Sequence, residues 1–233
     1  MNQYNIEPDL RYLQLLSQSF PTVAEASTEI INLQAILNLP KGTEHFLADI
    51  HGEYEAFLHV LKNASGNIKR KVNELFGNTL REQEKRELCT LIYYPEQKLE
   101  QIKQKETDIN DWYHITLHEL VAVCRDVSSK YTRSKVRKSL PCDFSYIIQE
   151  LLHEHTEDHD KTAYVNVIVD TIISTGRADD FIIAIANVIQ RLAIDQLHIL
   201  GDIYDRGPGA HIILDKMRRY HSWDMQWGNH DVL

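Results

Sequence analysis

The sequence contains no apolar run that approaches the ~20 residues needed to cross a bilayer, and residues 1–8 lack the pattern of a secretory signal peptide. We therefore expect a cytoplasmic protein with no membrane partner. Basic residues are also scarce, with 25 Lys and Arg against 34 Asp and Glu and a formal net charge of -9. Because binding along a nucleic-acid backbone requires clustered Lys and Arg, we expect no nucleic-acid partner. A small phosphorylated ligand is not excluded, since it senses only its local site.

Cysteine is equally sparse. The three cysteines, Cys89, Cys124 and Cys142, are widely spaced and include no C-x-x-C pair, so neither a structural zinc site nor redox chemistry is indicated. We expect buried, reduced thiols. The sequence also lacks the G-x-x-x-x-G-K-[ST] pattern, which argues against P-loop nucleotide chemistry.

Glycine is absent between Gly77 and Gly176, and Pro95 and Pro141 are the only prolines in that interval. This predicts a mostly helical segment, since glycine and proline are the residues that interrupt helices. Within it, the segment 79–82 fits a capping box. One apolar helix stripe is expected to contain Trp112, Ile115, Leu117, Leu120, Val121 and Val123.

Five of the nine glycines fall instead in three polar turns, each of which follows a strand-like run. Glycine suits turns that need a left-handed backbone or close ligand approach. The three units are 45–48 followed by Asp49-Ile50-His51-Gly52, 196–200 followed by 201–209, and 223–227 followed by Gly228-Asn229-His230-Asp231.

The turn at 201–209 carries Asp202, Asp205 and Arg206. An open α/β sheet places its ligand site beyond the carboxyl ends of the strands, so these side chains predict a metal and phosphate site. The alternative is an ordinary Asp/Gly turn with a surface ion pair. The two companion turns favour the metal site.

In this order the motifs D-x-H-G, G-D-x-x-D-R-G and G-N-H-D resemble those of the calcineurin-like metallophosphoesterases. The long helical segment between the first two motifs is similar to that of the class 3 fructose-1,6-bisphosphatases of bacteria. The resemblance implies an α/β fold, a partial calcineurin-like sandwich with a large helical insertion. The expected parts are an N-terminal helical extension (1–40), the core (41–62 and 195–233) and the insertion (63–194).

The resemblance also implies a two-metal site. Asp202 would bridge the metals, Asp49 and His51 would hold the first, and Asn229 would hold the second. Oxygen and imidazole donors suit Mn²⁺, Fe²⁺ or Zn²⁺, and Mn²⁺ is the expected ion.

The remaining roles implied by the resemblance concern the phosphate. Arg206 would bind it, and His230 would contact the substrate and either stabilise the transition state or protonate the leaving group. Asp231 would orient His230, and Asp205 would fix the turn or Arg206.

The implied reaction is hydrolysis of fructose 1,6-bisphosphate, a small phosphorylated sugar, to fructose 6-phosphate and phosphate in gluconeogenesis, by a metal-activated water. The alternatives are a phosphoprotein or dinucleoside-polyphosphate phosphatase and a catalytically silent assembly fragment. The later histidine ligands of the superfamily pattern are not in this sequence, so we expect the N-terminal portion of a longer enzyme. The two N-terminal helices would pack on the core or form a homo-oligomer contact.

Two further clusters have alternative interpretations. The basic run 130–138 could bind a second phosphate or an anionic effector, although a solvated helical face is favoured. The histidines of segment 153–160 could form a metal cluster, although a solvated helix end is favoured.

Overall fold

The computed structural model describes residues 9–105, 108–153 and 159–232, and for 159–161 only the backbone. Contacts divide the chain into two compact units, Met1–Pro40 and Lys41–Leu233. The separate assignment of 63–194 as an insertion stays a prediction.

The first unit contains two helices, α1 (Leu10–Ser19) and α2 (Val23–Leu37). Asp9 lies at the N-cap of α1, as expected, but its side chain makes no capping hydrogen bond. The N-terminus of α2 has a capping box, in which Thr22 Oγ1 accepts from the Glu25 amide at 3.2 Å and Glu25 Oε2 accepts from the Thr22 amide at 3.0 Å. None of the described residues in either helix is buried.

The second unit contains three strands and eleven α-helices among its described residues. The strands are β1 (Glu44–Leu47), β2 (Gln196–Leu200) and β3 (Trp223–Gln226). The helices are α3 (Tyr54–Asn63), α4 (Asn67–Phe76), α5 (Glu82–Tyr93), α6 (Pro95–Lys105), α7 (Ile109–Ser128), α8 (Arg133–Ser139), α9 (Ser145–His153), α10 (His159–Ser174), α11 (Ala178–Ala193), α12 (Ala210–Met217) and α13 (Asn229–Val232).

The helices between β1 and β2 enclose the larger of two hydrophobic cores, in which α7 packs against α11. The helical prediction for this segment is confirmed, and Leu117, Leu120 and Val123 are fully buried. The expected stripe was wrong at Ile115, which is 61% exposed. Since 115 and 117 lie about 200° apart on a helix, they cannot share one narrow face.

The capping box expected at 79–82 was also wrong. Helix α5 begins at Glu82, and its N-cap is Arg81. The carboxylate of Glu84 accepts from the Arg81 amide at 2.7 Å and from its guanidinium at 3.0 Å. The reciprocal side-chain interaction therefore lies two residues further along the chain than the pattern predicted.

The strands form a parallel sheet in the order β1-β2-β3. The strand expected at 196–200 is confirmed, and the other two differ from their expected ends by one residue. One face of the sheet packs on α3 and α12 in the second core, which includes Leu197, Ile199 and Ile213. The α/β class is confirmed. The described residues form a single sheet, and the calcineurin-like assignment stays a prediction.

Two expectations about individual side chains need correction. Cys89 and Cys124 are buried free thiols as expected, but Cys142 is exposed. In the basic run, Lys130 is buried, with its ammonium donating to Thr43 Oγ1 at 2.9 Å. This burial lowers the pKa of Lys130 to about 8. The solvated-face interpretation therefore fails at Lys130, because its buried ammonium donates to the Thr43 hydroxyl, immediately before β1.

No helix among the described ranges is both long and apolar enough to cross a membrane. Of the histidines in segment 153–160, His153 lies at the end of α9, His155 lies outside the described residues, and only the backbone of His159 is described, so the two alternative interpretations of this segment stay open.

Candidate metal centre

The three predicted turns meet at one edge of the sheet, because each follows the carboxyl end of a strand and the strands are parallel. Register pairs Leu47 with Ile199 and Leu200 with Gln226, so the ends of the strands lie side by side. The turn residues that follow are thereby brought together from positions about 150 residues apart.

Asp49, His51 and Asp202 each present a ligand atom, and these atoms lie within 4.8 Å of one another. His51 is 8% exposed. Its Nε2 lies 3.6 Å from Oδ1 of Asp49. Two carboxylates and one imidazole form a donor set that suits Mn²⁺, Fe²⁺ or Zn²⁺, so these residues fit the implied metal.

The orientation of the His51 ring leaves its metal-facing nitrogen available. Its Nδ1 lies 3.4 Å from the backbone oxygen of Tyr204. A metal-ligating histidine commonly donates its other ring N–H to such an acceptor, which fixes the tautomer. Nε2, on the side of Asp49, is then the nitrogen with a lone pair for the metal. Sequence reasoning missed Tyr204, because a backbone carbonyl has no residue signature.

The backbone of this site is strained. Five of its residues have a positive φ: Asp49 (53°), His51 (48°), Asp202 (57°), Asp205 (76°) and Arg206 (66°). Residues with side chains rarely adopt this left-handed region, at a cost of roughly 1–2 kcal/mol each. Strain of this kind persists only where surrounding contacts enforce it, and it clusters at functional sites.

Backbone hydrogen bonds join the first and second turns. The His51 amide donates to the Asp202 carbonyl at 2.7 Å, and the Gly207 amide donates to the His51 carbonyl at 2.7 Å. The turns approach so closely that a Cβ on Gly52 would lie 2.2 Å from the Gly207 carbonyl oxygen. Glycine at 52 therefore allows the contact that positions His51.

The Asp231 carboxylate joins the second turn to the third. Oδ2 accepts from the Asp202 and Gly228 amides at 2.7 and 2.8 Å. Oδ1 accepts from the Ile203 and Tyr204 amides at 2.8 and 3.2 Å. Partial burial by itself would raise the pKa of Asp231, but the four amide donors outweigh it and lower that pKa below its ordinary value.

Asp202 is fixed from the third turn in return. Its Oδ1 accepts from the His230 amide at 3.1 Å. A Cβ on Gly228 would lie 2.1 Å from the same oxygen. Asp202 is thus held by its own backbone amide, which binds Asp231, and by its side chain, which binds the start of α13.

The carboxylate facing the His230 ring is Asp205, whose Oδ2 lies 3.2 Å from His230 Nδ1. Asp231, which the resemblance assigned to that role, directs both oxygens at backbone amides. Asp205 also lies 3.8 Å from Nε of Arg206, as expected. The His51 and His230 rings meet edge to face, with centroids 5.4 Å apart.

The structure therefore gathers seven of the eight predicted side chains into one connected group. The eighth, Asn229, is exposed at the first position of α13, adjacent to His230. Its role as a metal ligand stays a prediction.

A protein-family model described as Firmicute fructose-1,6-bisphosphatase matches residues 11–233. The class 3 fructose-1,6-bisphosphatase of Bacteroides fragilis is 75% identical over 236 residues, which cover 99% of this chain and 36% of the relative. Those of Porphyromonas gingivalis and Clostridium novyi are each 66% identical over 228 residues. The chain thus spans about a third of the length of these curated relatives. No solved structure matches the chain significantly.

Proposed function

The chain belongs to the Firmicute fructose-1,6-bisphosphatase family, and from this premise we propose that it carries the metal-binding motifs of a fructose-1,6-bisphosphatase. The reaction is hydrolysis of fructose 1,6-bisphosphate to fructose 6-phosphate and phosphate. The observation that carries the proposal is the convergence of Asp49, His51 and Asp202 within 4.8 Å at the carboxyl edge of the sheet.

We propose that the metal ligands form a two-metal centre like that of the calcineurin-like metallophosphoesterases. Asp49, His51 and Asp202 would hold the first Mn²⁺, with Asp202 shared and Asn229 holding the second. When bound, the cations supply an activated water nucleophile and positive charge for the phosphate oxygens. The protein's own contribution is rigid placement of these donors, through the amide contacts made by Asp231 and Gly207.

Arg206 is assigned to the substrate phosphate. Its side chain is 68% exposed, and its contact with Asp205 is long, at 3.8 Å. An exposed ion pair of this kind contributes little, so the guanidinium can exchange Asp205 for phosphate oxygens, which it binds as a planar fork.

His230 is assigned as the proton donor to the leaving oxygen. Because Nδ1 faces Asp205, we place a proton on that nitrogen, and Nε2 is the atom that delivers a proton to the sugar oxygen.

The test is phosphate release from fructose 1,6-bisphosphate with Mn²⁺, by a hybrid in which this chain replaces the matching segment of the Bacteroides fragilis relative. Asp202→Ala should lower the rate by about 100-fold or more, because it removes a metal ligand. Asp215→Ala is the matched control, since Asp215 is an exposed carboxylate on α12. Manganese binding to the 233-residue chain alone, measured by calorimetry, reports on the site separately.

Two results would contradict the proposal. Full activity in Asp202→Ala would contradict the assignment of Asp202 as a metal ligand. A hybrid that is inert on fructose 1,6-bisphosphate yet hydrolyses a phosphoprotein would keep the metal centre and reject the sugar substrate.

A further inference from the structure

A cavity of about 420 Å³ lies at the opposite end of the sheet from the metal centre. Its wall comes from α3, the start of α6, α11, the end of α12 and the segment between α12 and β3. His221 in this wall lies two positions before β3, and Arg191 lies near the end of α11, five positions before β2. The cavity therefore adjoins the amino ends of the strands. The five residues of β2 separate it from the metal-binding edge by about 16 Å.

The charged side chains of the cavity are mostly basic. The lining contains four basic residues, Lys62, Arg191, Lys216 and Arg219. Its one carboxylate is that of Glu96. Among the described residues, none of the four basic groups lies within 4.0 Å of a carboxylate.

The basic groups are close enough to repel one another. Burial lowers the pKa of Lys62, Glu96 partly offsets this, and the Lys216 ammonium lowers the pKa further. Burial likewise lowers the pKa of His221, the Ile194 carbonyl and the Asp195 carboxylate partly offset this, and the Arg191 guanidinium lowers the pKa further. The cavity lining thus carries an excess of positive charge, four basic side chains against one carboxylate, on a chain whose net charge is -9.

We propose that this cavity binds a small phosphorylated anion, at a site separate from the metal centre. Its volume is within the range typical of small-molecule sites, roughly 300–1,000 Å³. Two guanidinium and two ammonium groups supply the charge-assisted hydrogen bonds that phosphate oxygens accept. A phosphate dianion would relieve the repulsion between Lys62 and Lys216, which a neutral ligand could not do.

The position of the cavity gives the bound anion a structural effect. Arg191 belongs to α11, whose apolar face is in the larger core, whereas Lys216 belongs to α12, which packs on the sheet in the smaller core. An anion that contacts both side chains links the two cores. Its binding therefore stabilises the folded chain in proportion to occupancy.

The test is calorimetric titration of the 233-residue chain with pyrophosphate, in EDTA and at fixed ionic strength, with thermal unfolding of the same samples. Saturable binding and a higher unfolding temperature are expected. Lys216→Gln and Arg219→Gln should each weaken binding by about tenfold, as expected for loss of one charge-assisted contact. Both side chains are exposed, so their removal leaves the cores intact. Glu96→Gln should tighten binding, because it removes the opposing charge.

Matched controls separate this site from others. Lys105→Gln and Arg133→Gln remove the same charges at exposed positions outside the cavity, and should leave the affinity unchanged. Arg206→Gln tests whether pyrophosphate binds at the motif turn instead. Absence of saturable binding, equal weakening in Lys105→Gln, or loss of binding only in Arg206→Gln would each overturn the proposal. The result does not depend on hydrolysis, since no divalent cation is present.

Discussion

Asp205 and His230 form the one direct ion-pair contact between the second and third motif turns among the described residues, with Oδ2 of Asp205 3.2 Å from Nδ1 of His230. The same carboxylate approaches Arg206 at 3.8 Å. Asp205 therefore lies between the two side chains assigned to the phosphate and the leaving group. Its carboxylate contacts both of them.

Asp205→Asn should lower phosphate release by the hybrid enzyme about 10- to 100-fold, because the His230 ring loses the carboxylate that contacts Nδ1. Asparagine tolerates the left-handed backbone at this position, where φ is 76°. Manganese affinity, measured by calorimetry, should not change. A parallel loss of manganese binding would show that Asp205 acts on the ligands instead.

Asp231→Asn should lower the free energy of unfolding by about 1–3 kcal/mol, as judged by urea denaturation at pH 7. The carboxylate accepts from four backbone amides, whereas an amide side chain has one oxygen and would present its NH₂ group to two of those donors. Asp215→Asn, at an exposed position on α12, should change stability by less than about 0.5 kcal/mol. Equal effects of the two substitutions would contradict the proposed stabilising role of Asp231.

Gly228→Ala should weaken manganese binding by about tenfold or more. The added Cβ would lie 2.1 Å from Oδ1 of Asp202, so this proposed metal ligand must move. Gly176→Ala is the comparison, because its Cβ would meet nothing within 4 Å and it carries only the strain of a φ of +70°. That variant should lose about 1 kcal/mol of stability and keep its manganese affinity. Unaltered manganese binding in Gly228→Ala would contradict the close packing of the two turns.

Glu119→Gln should stabilise the protein by about 1–3 kcal/mol at pH 8. Burial, with a smaller contribution from Glu84, raises the pKa of Glu119 from 4.5 to about 7. Between these pH values the unfolded chain loses the proton first, so ionisation of Glu119 reduces stability as pH rises. Glutamine is neutral throughout and avoids this loss.

The pH dependence distinguishes this effect from simple repacking. The gain should disappear near pH 4, where Glu119 is protonated in both states. Glu100→Gln, at an exposed position on α6, should show no such dependence when urea denaturation is compared at pH 4, 6 and 8. A gain in Glu119→Gln that is equal at all three values would contradict ionisation as the cause.

Much of the fold could be predicted because its signals are local. The apolar run 196–200, bounded by turn residues, predicted β2 to the residue. The absence of glycine between Gly77 and Gly176 predicted helices there, and they are present. Single-residue features were harder to predict. Ile115 has an apolar side chain but lies on the exposed side of α7, which depends on the helices that surround it.

The site was predictable to a similar extent. The order and spacing of the three motifs identified Asp49, His51 and Asp202, and parallel strands bring such turns to one edge. The partner of His230 was not predictable. Asp231 follows His230 directly, yet its oxygens bind amides of the second turn, and the ring faces Asp205, which lies 25 positions earlier.

The sequence by itself determined the order of the strands and motifs, the helical character between them and the family to which the chain belongs, because residue type and spacing along the chain encode these features. Only the tertiary structure decided which polar groups meet. Backbone amides and carbonyls, such as those that hold Asp231 and His51, have no residue signature. The basic cavity likewise depends on tertiary packing, since Lys62, Arg191 and Lys216 are far apart in sequence and approach only when the two cores form.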